Sequence, residues 1–161
     1  MRVCLGIDPG LARVGYGAVM QSDSGLYAID YGCIETTPNM TFTERLLKIY
    51  CDVQRIITAS RPDFMTIERL FFGKNARTAE YVYQARGVIM LLTAQNNIPV
   101  TELTPNSIKR SICGTGSADK HAVQNAVREI LALEETPRPD DTADALAAAV
   151  AGLSCYMNEG G

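Results

Sequence analysis

Val3-Cys4-Leu5-Gly6-Ile7-Asp8-Pro9-Gly10 is the stretch on which the fold turns. Val3 to Ile7 is an unbroken apolar run of strand length, and Pro9-Gly10 stops it. A strand apolar on both faces lies inside a sheet covered on both sides. Asp8 therefore sits at the carboxyl end of a buried strand, where ligand chemistry collects in open α/β sheets. An acid at that place also reads as a simple turn cap.

Outward from this strand, Val14 to Met20 and Leu26 to Ile34 read as two more strands, joined by the hairpin signal Asp23-Ser24-Gly25. The opening third is thus a three-strand antiparallel meander. Thr41 to Ala59 carries Leu46, Leu47, Ile49, Tyr50, Val53, Ile56 and Ile57 on one broad helical face, with Thr41 or Thr43 as cap. Arg61-Pro62-Asp63 ends that helix, and Phe64 to Ile67 is a fourth strand that delivers Glu68. A loop with Phe71, Phe72 and Lys74 leads to a long helix from about Ala76 to Asn96, and Ile98 to Leu103 is a fifth strand. Thr104-Pro105 opens a short helix through Cys113; after Gly114-Thr115-Gly116, Ser117 is placed to cap a helix running to about Leu133. The last helix runs from about Asp140 to Tyr156. The pattern predicts an α/β fold: a five-stranded mixed sheet, meander plus parallel strands, with helices on both faces. One domain is expected over residues 1–157, with a short tail at 158–161.

Composition narrows the function. Hydrophobic residues make up 47% and charged residues 20% of the 161, which is globular rather than disordered. No secretory signal opens the chain, and the apolar run from Ala143 to Cys155 is shorter than the ~20 residues of a membrane span. A cytoplasmic protein away from membranes is expected. The five cysteines are scattered without C-x-x-C, and His121 is the single histidine, which excludes a zinc finger or a His-based metal site. Acid/base or metal chemistry falls to carboxylates and lysines.

Four carboxylates stand out. Asp8 and Glu68 end two strands; Asp141 and Asp144 are three apart on a helix and share a face. That helix is rich in Ala143, Ala145, Ala147, Ala148, Ala149, Ala151 and Gly152, small enough to pack close to the sheet and bring its acids beside Asp8 and Glu68. Acids at a helix start are also favoured by its dipole, and Asp140 after Pro139 reads equally as a cap. Converging carboxylates without histidine suit a hard cation such as Mg2+. Two such ions about 4 Å apart serve phosphodiester hydrolysis. The Gly114-Thr115-Gly116 loop does not fit the Walker A spacing, so an ATPase reading lacks support.

Gly6-Ile7-Asp8-Pro9-Gly10 with Gly15-Tyr16-Gly17 resembles the opening of RNase H-like nucleases. More particular are Ile67-Glu68-Arg69-Leu70-Phe71, Asn75-Ala76, Gln84-Ala85-Arg86-Gly87, Lys109 with Gly114 to Lys120, and Asp140-Asp141-Thr142-Ala143-Asp144-Ala145-Leu146-Ala147. Together, from Val3 to about Leu153, they resemble the RuvC family of bacterial crossover junction endodeoxyribonucleases.

The resemblance implies an RNase H-like fold, a homodimer, and cutting of four-way (Holliday) DNA junctions in recombination and repair. Paired symmetric nicks would leave 5′-phosphate and 3′-hydroxyl ends. It implies Asp8, Glu68, Asp141 and Asp144 as ligands of two Mg2+ per site, with Mn2+ able to stand in, and the RuvA and RuvB branch-migration proteins as partners. Some members carry His where this chain has Asp141. Lys109 and Lys120 are implied as contacts near the scissile phosphate, and Phe71, Lys74 and Arg77 as DNA contacts with Phe71 a wedge at the crossover. The plainer readings are solvated lysines and buried aromatic anchors. The alternatives in function are an RNase H-like RNA-processing nuclease and a junction-binding protein that does not cut.

The net charge of -3 is unevenly spread. From Arg69 to Lys120 the chain carries a local +4, and the remaining -7 includes the four candidate ligands. Two Mg2+ ions would bring the total to about +1, so DNA engagement at the centre is expected to need divalent metal, with the basic segments giving a salt-sensitive grip.

Overall fold

The computed structural model describes residues 1–69 and 76–159. Strands β1 (Arg2–Asp8), β2 (Arg13–Ser22) and β3 (Gly25–Glu35) form the antiparallel meander, and β4 (Phe64–Glu68) and β5 (Val100–Leu103) add in parallel on the far side of β1. The sheet order is β3-β2-β1-β4-β5, so the first stretch of sequence becomes the central strand. Asp63 locks the start of β4 to β1 from both groups: its carboxylate accepts from Val3 N at 2.7 Å and its own N–H donates to Val3 O at 2.9 Å.

The helices are α1 (Phe42–Ser60), α2 (Ala76–Gln95), α3 (Pro105–Cys113), α4 (Lys120–Ile130) and α5 (Asp140–Glu159). They divide between the faces. Leu5, Ile7, Met65 and Ile67 point into a core shared with Ile49, Val53 and Ile56 of α1 and Ile89 and Leu92 of α2. Cys4, Val19 and Phe64 point the other way, onto α3, α4 and α5. Alternate residues of β1 thus serve opposite cores, which is why the run has no polar position.

Local signals set the element ends. Thr41 caps α1 in a capping box: its hydroxyl accepts from Glu44 N at 3.3 Å, and Glu44 Oε2 accepts from Thr41 N at 2.7 Å. Thr41→Ala is expected to cost about 1 kcal/mol, read as a drop of several degrees in a thermal melt. Arg61 and Asn97 adopt left-handed φ (45° and 54°) just past α1 and α2, reversing the chain into β4 and β5. The cap of α4 corrects the sequence expectation. Asp119, not Ser117, accepts from the helix, at Ala122 N (2.8 Å), and the helix ends at Ile130 rather than Leu133. Ser117 is already engaged: its N–H donates to Thr115 Oγ1 at 3.3 Å and its hydroxyl bonds the same oxygen at 3.0 Å.

Helix α5 lies close against β1 and β2 wherever the sheet carries glycine. A Cβ at Gly6 would overlap Ala145 O and meet Ala149 N; at Gly15 it would overlap Asp141 O; at Gly17 it would press on Leu146. Glycine in the sheet and alanine in the helix allow backbone to rest on backbone, which carries the acidic start of α5 to the end of β1.

Candidate active site

Asp8 ends β1, and Glu68 ends β4, its parallel neighbour, so both carboxylates leave the sheet at one edge. Asp141 and Asp144 come down onto that edge from the first two turns of α5. Burial pushes Asp8 up from 3.8 to about 7, and Asp144, Glu68 and Asp141 each add repulsion in that order, with Lys120 pulling the other way. Glu68 is pushed up by burial and by Asp144 against the opposing charge of Lys109. Asp144 is raised by burial, which outweighs the ion pair to Lys120. Asp8 registers the charge of the other three acids and Glu68 that of Asp144, although the four come from three separate elements.

Basic groups surround the acids. A cleft of about 290 Å³ is lined by Glu68, Asp144, Lys109 and Lys120 over a floor of Ile108 and Val123. Lys109 on α3 and Lys120 on α4 therefore both face the acids. A second groove of about 500 Å³ runs past Asp141, Arg13, Arg45 and Lys120, which lines both. Phe71 and Lys74 lie outside the described residues, as does the side chain of Arg77.

Two arginines at the site had no role assigned to them in the sequence. Arg13 on β2 reaches Asp141 Oδ2 at 3.4 Å, across 128 positions of chain. Arg86 on α2 donates to the Glu68 carbonyl at 3.3 Å and pairs with Glu102 at 2.9 Å, fixing the backbone that presents Glu68. The signal for Arg86 was its place in Gln84-Ala85-Arg86-Gly87; Arg13 gave none. Arg86 is nearly buried and pairs with Glu102, an acid already set against it in the local +4, so the basic excess of this segment rests on its other residues. Asp140, read equally as a cap, turns toward α4: Oδ1 accepts from Gln124 Nε2 at 3.0 Å and Oδ2 pairs with Lys120 Nζ at 3.0 Å.

The donor set fits a hard divalent cation: oxygen donors only, partly desolvated, with more negative charge than the lysines offset. Among the described residues no three His, Cys, Asp or Glu side chains already stand close enough together to hold an ion. A hard cation is what such an oxygen-only set attracts.

Comparison with known proteins gives this geometry a family. The sequence profile of "Crossover junction endodeoxyribonuclease RuvC" matches residues 4–152. The RuvC crossover junction endodeoxyribonuclease of Treponema denticola is 48% identical over 155 residues, covering 96% of this chain and 87% of that one. The RuvC of Caldicellulosiruptor saccharolyticus is 48% identical over 151 residues, covering 93% and 90%. Among solved structures, T. thermophilus RuvC in complex with Holliday junction substrate superposes with a TM-score of 0.92 at 31% identity, covering 99% of this chain and 97% of that one. A profile match over most of the chain and near full-length relatives at this identity place it: the chain belongs to the RuvC family and is a crossover junction endodeoxyribonuclease.

Proposed function

We propose that the chain cuts four-way DNA junctions by hydrolysis at the edge where Asp8, Glu68, Asp141 and Asp144 meet, and that these four carboxylates hold Mg2+, two ions per site. The observation that carries this reading is Asp8: a mostly buried acid at the end of the central strand, raised to about 7 with three further acids repelling it. Evolution of a stable core alone would not place four coupled acids there, since each adds repulsion that the fold must absorb. Bound among them, Mg2+ supplies the Lewis acidity that phosphodiester hydrolysis needs.

The chain's own groups do the rest. Asp8 faces all three other acids and is the natural shared ligand. Glu68 is held in place through its backbone by Arg86. Lys109 and Lys120 line the cleft beside Glu68 and Asp144, where they meet the negative charge of the scissile phosphate. Phe71, Lys74 and Arg77, which follow Glu68 in sequence, are further DNA contacts. Two copies related by a two-fold axis match the pseudo-symmetry of a junction and deliver paired nicks. Work on DNA beside RuvA and RuvB branch-migration proteins places the chain in the cytoplasm. Among the described residues no helix is long and apolar enough to cross a membrane.

The test is incubation of the chain with an end-labelled mobile four-way junction, with and without Mg2+, and in parallel with structured RNA. Paired symmetric nicks with 5′-phosphate ends, seen only with metal, are the expected products. Cutting of RNA alone, or junction cutting indifferent to chelator, would overturn the reading.

A further inference from the structure

Lys120 is held chiefly by a carboxylate outside the four-acid set. Its Nζ stands 3.0 Å from Asp140 Oδ2 but 3.6 Å from Asp144 Oδ2. Asp140 does not reach for Lys120 freely. Its other oxygen accepts from Gln124 Nε2 at 3.0 Å, and Gln124 is buried, which sets the amide and through it the carboxylate. Lys120 and Gln124 are four residues apart on α4, so one helix face presents both groups to a single acid. Asp140 is held below the ordinary carboxylate value, first by its hydrogen bond to Lys120 and then by that to Gln124. Lys120 is held above the ordinary ammonium value, first by its bond to Asp140.

We infer that Asp140 is a positioning residue for cation binding: anchored by Gln124, it holds the Lys120 ammonium at the rim of the site and so keeps Asp144 open to the divalent cation. This rests on the reading of Asp144 as a cation ligand. An ammonium and a divalent cation compete for the same carboxylate. Lys120 has a nearer partner in Asp140, and its hold on Asp144 is partial. With Asp140 replaced by Asn, Asp144 is the carboxylate left in its reach. The ammonium then closes on Asp144, and an incoming ion must displace a full ion pair.

Asp140 is also an acid near the ion and would attract it directly, so one substitution does not separate the two roles. A double-mutant cycle does. Mn2+ is titrated into the DNA-free chain and free Mn2+ is counted by electron paramagnetic resonance, for wild type, Asp140→Asn, Lys120→Gln, the double variant, Asp140→Glu and Asp144→Asn. Asp140→Asn is expected to weaken Mn2+ binding about fivefold, the size of one partly exposed ion pair. In the Lys120→Gln background the same change should have almost no effect, and Asp140→Glu should recover most of the loss. Equal weakening in both backgrounds overturns the inference, because Asp140 then acts on the ion itself; so does no weakening in the wild-type background. If Asp144→Asn binds Mn2+ as tightly as wild type, the reading of the site falls, and the inference with it. Weakening by Asp144→Asn together with a Lys120-independent effect of Asp140 removes the inference alone.

Discussion

Asp8→Asn is expected to lower junction cutting about 10³-fold or more while leaving junction binding intact or tighter. The magnitude follows from the several kcal/mol of charge stabilisation a bound cation supplies, at 1.36 kcal/mol for each tenfold in rate. Asn is nearly the same size, so the edge of β1 keeps its shape, but it brings a neutral oxygen where the set needs its most shared anion. Binding survives because removing one negative charge from a crowded acid set can only ease the approach of phosphates. Gel-shift and nicking assays on one labelled junction check both halves. Unchanged cutting would remove Asp8 from the site.

The same substitution carries a second, opposite signature. An acid with a pKa of about 7 in the folded chain and 3.8 ordinarily holds its proton more tightly when folded. Folding therefore takes up a proton between those values, and the stability this group contributes falls as pH rises from about 4 to 7. Above pH 7 the folded chain carries the full cost of a buried, repelled carboxylate, on the order of 2–4 kcal/mol. In chelator at pH 8, Asp8→Asn should melt several degrees above wild type, and the gap should narrow as pH falls and close near pH 4, where Asp8 is protonated in the folded and unfolded wild type alike. A variant that is more stable and inactive is what a site built against the fold's own interest yields.

Much of this was legible because it is local or periodic. The apolar run Val3 to Ile7 reads as the central strand, since only a strand between two cores needs no polar face. The hairpin at Asp23-Ser24, the end of α1 at Arg61 and the close approach of the alanine-rich α5 are likewise short-range features. What stayed hidden depends on partners distant in sequence or on a choice between equal neighbours. Ser117 and Asp119 are both good caps; the turn that Ser117 makes with Thr115 decides between them. Arg13 with Asp141, Arg86 with Glu102 and Asp140 with Gln124 are pairings that spacing does not announce. The charge count cancels Arg86 against an acid of its own segment, and only the fold shows that this acid is Glu102.

The glycines of the sheet separate holding the chain together from aiming its acids. Gly15→Ala places a Cβ into the Asp141 carbonyl, and Gly152→Ala places one into Thr66 Oγ1, at the opposite end of the same helix. Both push α5 away from the sheet, and inserting a methyl into such tight packing costs about 1–3 kcal/mol. Both variants should therefore melt at lower temperature by similar amounts. Their activities should differ. The clash at Gly15 lies on the backbone of a candidate ligand, so moving it displaces Asp141 from Asp8 directly. A misplacement of about 1 Å is enough for a 10²-fold loss. The clash at Gly152 lies just over two helical turns beyond Asp144, where the later part of the helix can yield and leave the acids where they are. Measured well below both melting temperatures, Gly15→Ala should cut junctions about 10²-fold more slowly than wild type and Gly152→Ala within a few fold of it. Equal losses would mean that α5 moves as one rigid rod, and that the acids are aimed by the whole helix rather than by the contact at Gly15.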